Sequence, residues 1–173
     1  MKRILLLRHA KSSHDDPGVE DFDRPLTARG QGAAPIMGGH MAAQGWLPER
    51  VLCSAARRAR DTVEGLWRDW PRQPPAQVES ALYGASPGDL LERLRRLPDA
   101  EATVLLVGHN PAIQQTALDL AGTGDPETYA EMRAKFPTTA LAVLDAEVDH
   151  WGELGPGRAG LTAFVRPQDL AGD

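Results

Sequence analysis

The sequence of 173 residues has one cysteine, Cys53, so no internal disulfide can form, and a reducing cytoplasm is the expected setting. Its apolar runs, such as Ile4–Leu7 and Val104–Val107, fall far short of the roughly 20 residues that span a bilayer, which argues against a membrane protein. Ile4–Leu7 is also too short for a secretory signal, and no small-residue cleavage site follows it. Basic residues are not in excess. The net charge of −5 argues against broad binding to nucleic acid or anionic membranes. Metal motifs are missing as well: His9, His14, His40, His109 and His150 are scattered, with no HExxH and no cysteine pair. Neither a repeat nor a low-complexity linker divides the chain, and Pro74-Pro75 and Gly152–Gly160 are only loop-like. A single domain over 1–173 is expected.

What is present is an alternation of strands and helices. Short apolar runs bounded by turns predict strands at Arg3–Leu7, Arg50–Cys53, Gln77–Ser80, Thr103–Val107, Ala140–Asp145 and Leu161–Val165. Arg3–Leu7 and Thr103–Val107 are apolar on both faces, as a central, doubly covered strand must be. Helical periodicity appears over Thr27–Gln44, Ala56–Trp70, Ser86–Leu97 and Pro111–Ala121, with a shorter helix over Thr128–Lys135. Pro35 is expected to weaken or kink the first of these, and Gly122 to stop the fourth. The pattern predicts an α/β fold of three layers, α/β/α, around a mostly parallel sheet. In such sheets ligands bind beyond the carboxyl ends of the strands.

Three clusters fall at that edge. Arg8-His9-Ala10 follows the first strand, Ser54 to Ala59 follows the second, and Gly108-His109-Asn110-Pro111 follows Thr103–Val107. Parallel neighbours would bring two histidines and at least two arginines together. Guanidinium groups pair with phosphate oxygens in bidentate geometry, and helix N-termini after Ala56 and Asn110 add N–H donors for an anion. An imidazole among them can attack phosphorus if the attacking nitrogen is unprotonated, with the ring proton on the other nitrogen, against a backbone carbonyl. The second imidazole can donate to the phosphoryl oxygens.

Leu6-Leu7-Arg8-His9-Ala10, the segment Ser54…Arg58-Ala59…Thr62, and Gly108-His109-Asn110-Pro111 resemble the histidine phosphatase (phosphoglycerate-mutase-like) superfamily. Lys11-Ser12-Ser13, the stretch Asp21 to Gly30, Leu82-Tyr83-Gly84-Ala85-Ser86 and Lys135-Phe136-Pro137-Thr138 resemble its SixA-type phosphohistidine phosphatase branch. The resemblance implies the phosphoglycerate-mutase-like fold and a phosphatase that needs no metal or cofactor. It makes His9 the phosphorylated nucleophile, Arg8 and Arg58 the phosphate-binding arginines and His109 the second pocket histidine. Arg58 is preferred to Arg57 because the family's arginine immediately precedes an alanine. Many superfamily members carry a carboxylate near the third strand that protonates the leaving group. Leu82-Tyr83-Gly84-Ala85 has none, as in the SixA-like branch, and Glu79 and Asp89 are the nearest alternatives.

Without a dedicated acid, a labile P–N bond is an easier substrate than a phosphoester. The expected partner is therefore a protein bearing phosphohistidine. A small phosphoester or nucleotide remains the alternative substrate, and a non-catalytic phosphate-binding or interaction module the alternative of another class. Asp15-Asp16 and Asp21-Asp23 are expected in a solvated loop at the rim, where Lys11 and Arg24 are the basic residues. Cys53, His14, His40, His150 and the tryptophans Trp46, Trp67, Trp70 and Trp151 are expected to be structural.

Overall fold

A computed structural model describes residues 1–171. Seven strands form one sheet in the order β3-β2-β4-β1-β6-β7-β5. They are β1 (Lys2–Arg8), β2 (Arg50–Ser54), β3 (Ala76–Glu79), β4 (Thr103–Gly108), β5 (Ala121–Gly124), β6 (Leu141–Ala146) and β7 (Ala159–Val165). β6 alone runs against the rest, since it pairs antiparallel with both β1 and β7 while the other ladders are parallel.

The doubly apolar strands are central because both of their faces are covered. Leu5 and Leu7 point into one layer with Met37, Met41, Val63 and Leu66. That layer is built by α1 (Ala28–Ala43) and α2 (Arg57–Leu66). Ile4 and Leu6 point into the opposite layer with Leu90, Leu94, Ile113 and Met132. There lie α3 (Pro87–Arg95), α4 (Ala112–Leu120) and α5 (Pro126–Ala134). Ile4 through Leu7 are fully buried, so strand alternation serves two cores at once.

Caps set the helix starts. Thr27 accepts from the Gly30 amide at the start of α1, and Ser86 and Asp89 form a reciprocal capping box on α3. Helix α1 runs through Pro35 without ending. Its packing on α2 overrides the lost backbone bond. A Cβ on Gly38 would sit 1.9 Å from the Leu66 carbonyl oxygen, so only glycine allows this approach. Trp70 adds a hydrogen bond from its indole to the Gly38 carbonyl at 2.9 Å. Residues 121–124 form β5, a strand that the sequence reading did not anticipate. Ala-Gly-Thr-Gly has little strand propensity, and the pairing is made by tertiary fit: a Cβ on Gly122 would lie 2.2 Å from the Gly157 carbonyl oxygen.

Candidate active site

The register of β1 on β4 pairs Arg8 with Gly108, so His9 and His109 leave the sheet at the same height. The His9 amide donates to the Gly108 carbonyl at 3.0 Å, and the two imidazole centroids lie 5.1 Å apart. Next to β4, β2 ends at Ser54, and the first turn of α2 carries Arg58 inward. Buried Thr62 ties these parts together. Its hydroxyl donates to the Arg58 carbonyl at 2.6 Å and accepts the Ala10 amide at 2.9 Å. From the other side, the Thr139 amide donates to the carbonyls of Arg8 (2.9 Å) and His9 (3.2 Å). Thr139 does so with a φ of 65°, a left-handed conformation that is costly for a β-branched residue.

His9 is 7% exposed. Its Nδ1 lies 2.7 Å from the Ala10 carbonyl, which can only accept, so Nδ1 carries the proton and Nε2 presents a lone pair. Arg58 Nε donates to that lone pair over 3.3 Å, a long bond. Burial first, then the charges of His109, Arg58 and Arg8, push the His9 pKa down to about 3, against the help of the Ala10 carbonyl. His109 is likewise pushed down to about 4, by burial and then by Arg58. Both rings are therefore neutral at physiological pH. This is the protonation pattern that the sequence argument requires of an attacking imidazole.

The two arginines are held differently. Arg58, almost fully buried, has every edge of its guanidinium engaged: Nε on His9, Nη1 on the Asp21 carbonyl at 2.6 Å and Nη2 on the Asp21 carboxylate at 3.1 Å. Arg8 donates from Nη1 to the Phe136 carbonyl at 3.0 Å, which also accepts from Asn110, and burial lowers its pKa. Its Nε is buried without a protein partner. So is Nδ1 of His109, whose Nε2 lies 2.8 Å from the Ser54 hydroxyl. Two nitrogens at the centre of the cluster thus have no acceptor within the protein.

Asp21, Tyr83 and Ser54 have roles here that the sequence reading did not give them: it set Asp21 in a solvated loop at the rim and named Ser54 and Tyr83 only as members of motifs. The Asp21 carboxylate receives hydrogen bonds from Tyr83, Arg58 and Arg24. Tyr83 first, then Arg58 and Arg24, hold its pKa well below the usual carboxylate range. Tyr83 packs its ring near the Arg58 guanidinium (5.8 Å) and edge-on to His109 (5.5 Å). Its motif neighbours Leu82 and Gly84 were noted only for lacking an acid; the available signal was that Asp21 and Tyr83 stand inside the segments that carry the branch resemblance. Glu79 is clamped by Arg93 at 2.8 Å, and Asp89 caps α3, so neither is free to serve as an acid. Arg24 bonds Ser12, Ser13 and His14 as well as Asp21. Cys53 is buried, and burial pushes its thiol up to about 12, which leaves it unreactive.

Among the described residues no group of three or more His, Cys, Asp or Glu is arranged to hold a metal, and no helix is long and apolar enough to cross a membrane. A concavity of about 660 Å³ between Leu47, Trp70 and Pro74 lies at the opposite, amino-terminal edge of β2 and β3. None of the converging imidazoles and guanidiniums lines it.

No family model matches the chain. It is 40% identical over 164 residues to an uncharacterized protein of Mycobacterium tuberculosis, covering 94% of this chain and 100% of that one. Among solved structures it is similar to one from Agrobacterium tumefaciens that carries the name phosphohistidine phosphatase SixA. The two share 30% identity with a TM-score of 0.81 over 96% of this chain and 98% of that one. A protein of the same name from Nakamurella multipartitia matches at 30% identity and a TM-score of 0.81, covering 96% of each chain. A SixA protein histidine phosphatase complexed with tungstate shares the fold at 24% identity, with a TM-score of 0.78 over 97% of this chain and 99% of that one.

Proposed function

Because this chain belongs to the histidine phosphatase superfamily, in its SixA-type branch, and is a phosphatase, we propose that it works through a covalent phosphoryl intermediate on His9 and that its substrate is phosphohistidine on a partner protein. The observation that carries this reading is the buried His9, with its Nδ1 proton committed to the Ala10 carbonyl and its Nε2 lone pair facing Arg58.

In the first step Nε2 attacks phosphorus in line. The P–N bond to the substrate's imidazole breaks, its electron pair leaves with the ring nitrogen, and that nitrogen takes a proton from water. Attack is assisted because Nδ1–H already rests on a carbonyl that stabilises the developing positive charge. The phosphoryl oxygens supply acceptors for Arg8 Nε and His109 Nδ1, which lack them within the protein. Ser54 accepts from the Ala56 amide and lies 2.8 Å from His109 Nε2; in this mechanism its hydroxyl donates to that nitrogen, which assigns the His109 proton to Nδ1. Arg58 follows the charge from below, exchanging part of its hold on Asp21 for the anion. Water then attacks phosphohistidine at position 9, releasing inorganic phosphate and restoring the lone pair.

The choice of P–N over P–O rests on the carboxylates. Glu79 and Asp89 are engaged elsewhere, and Asp21 is kept ionised by Tyr83 and the arginines, so none holds a proton to give an alkoxide. The test is a substrate panel with a phosphohistidine protein, phosphoimidazole, sugar phosphates and nucleotides. Wild type should turn over the first two fastest and trap acid-labile phosphate on His9. In His9→Ala, turnover should fall by about four orders of magnitude or more, as for other nucleophile deletions. Faster turnover of a phosphoester would transfer the reading to small-molecule substrates. Label on Cys53 or a serine would remove His9 from its role.

A further inference from the structure

On the α1 side of the sheet lies a cleft of about 400 Å³, lined among others by Lys11, Arg29, Ala33, Thr138, Thr139 and Gln168. Two of these residues tie it to the nucleophile segment. Lys11 is two residues beyond His9, and Thr139 is the residue whose amide clasps the carbonyls of Arg8 and His9. Its two cations, Lys11 and Arg29, are exposed, and among the described residues neither has an ion-pair or hydrogen-bond partner for its charged group. In a chain with a net charge of −5, two such cations meeting at one concavity is a local reversal of sign.

The juxtaposition is built into the backbone. The Lys11 carbonyl accepts from the Thr27 amide at 2.9 Å and from the Thr27 hydroxyl at 3.2 Å. A Cβ on Gly30 would come within 2.2 Å of that same carbonyl oxygen, so glycine is required for the first turn of α1 to lie against Lys11. Arg29 is thereby fixed in that first turn, which contains no acidic residue. The helix dipole disfavours a cation there, so the placement of Arg29 costs stability and is not explained by folding. On the other wall, Thr139 holds its left-handed conformation to keep the Pro137–Thr139 turn against the nucleophile strand. A strained residue that clasps the nucleophile strand on one wall thus faces an unfavourably placed cation on the other.

We propose that this cleft is an anion subsite that takes an acidic side chain flanking the phosphohistidine on the partner protein, and so selects among phosphohistidine substrates. Lys11 and Arg29 supply the charge, and the hydroxyl of Thr138 a neutral hydrogen bond. The inference rests on the phosphohistidine reading of the site and adds to it a rule about sequence context. Because the two cations are solvated, they act on encounter and binding and not on the chemical step.

The experiment uses two phosphohistidine peptides, one with glutamates and one with lysines flanking the phosphorylated residue, together with phosphoimidazole, which has no flanks. Wild type should prefer the glutamate peptide by about tenfold in kcat/KM, the difference lying in KM and fading at high ionic strength. The double variant Lys11→Glu, Arg29→Glu should reverse that preference. The milder Lys11→Gln, Arg29→Gln should abolish it, and it replaces the double reversal if melting shows the latter misfolded. Equal kcat/KM for both peptides in wild type, or a preference that survives either double variant, would overturn the subsite. If wild type turns over neither peptide nor phosphoimidazole, the underlying phosphohistidine reading fails instead. Binding of the two labelled peptides by anisotropy then still decides the subsite, with a glutamate preference upholding it and indifference ending it.

Discussion

The strands β1 and β4 carry charge at both of their ends, and the two ends solve it differently. At the amino-terminal edge the cations carried by β1 and β2 meet partners. Arg3 pairs with Asp145 at 2.7 Å, Arg50 clamps Glu101 at 2.6 Å, and Lys2 donates to the carbonyls of Asp99 and Glu101. Hydrogen bonds donated to Asp145 and Glu101 raise the pKa of Arg3 and Arg50. At the carboxyl-terminal edge, burial lowers the pKa of Arg8, both imidazoles are forced neutral, and buried nitrogens on Arg8 and His109 have no acceptor. The same pair of strands thus ends in satisfied electrostatics on one side and in unsatisfied electrostatics on the other. An edge tuned for stability pairs its charges; an edge tuned for an anion holds donors ready.

That contrast is breakable by substitution. The largest effect belongs to Arg8→Ala, which should cost about two to three orders of magnitude in kcat/KM on phosphoimidazole, the usual range for removing one donor to a transition-state oxyanion. Its melting temperature should hold or rise, because a buried, half-paired cation is removed. A clear fall in melting temperature would show that Arg8 belongs with the stabilising pairs.

pH separates the edges next. With His9 near 3 and His109 near 4, the acid limb of kcat/KM should fall near pH 4 and not at the ordinary imidazole value of about 6.5. The same depressions act on folding. The folded rings bind fewer protons than the unfolded chain between about 6.5 and those values, so stability should decline as pH falls through that window. In His9→Ala that decline should be shallower by thermal melts at pH 7.5 and 5. An unchanged slope would contradict the depressed His9 pKa.

Two smaller changes sharpen the comparison. Ser54→Ala removes the hydroxyl that fixes the His109 tautomer and should lower kcat/KM by about tenfold, an outer-contact effect. At the other edge, Glu101→Gln should cost about 2 kcal/mol of stability, the scale of a charged hydrogen bond, with kcat unchanged in the folded fraction. Loss of kcat there would mean that the two edges are coupled through β4.

Much of the candidate site is visible along the chain because the side chains proposed for catalysis follow directly on buried strands. Arg8-His9 and Gly108-His109 stand beside apolar runs, and the order of their motifs carries the resemblance. Asp21 is different. It lies in a polar loop and looks solvated; only the fold brings its carbonyl and carboxylate to Arg58, 37 residues away. Tyr83 and Ser54 are hidden for the same reason, since a hydroxyl's role depends on which nitrogen faces it. In the scaffold, capped and periodic helices such as α3 are legible, whereas β5 and the passage of α1 through Pro35 are not. Both depend on glycines that admit a distant carbonyl, Gly122 beneath Gly157 and Gly38 beneath Leu66.

The sequence by itself determined the layered α/β frame and the set Arg8, His9, Arg58 and His109, because hydrophobic period and local motif order are properties of neighbours along the chain. Only the tertiary structure decided the protonation of the two rings, the capture of Arg58 by Asp21 and the electropositive cleft between Lys11 and Arg29. Those are set by burial and by partners remote in sequence, and desolvation and charge act through space.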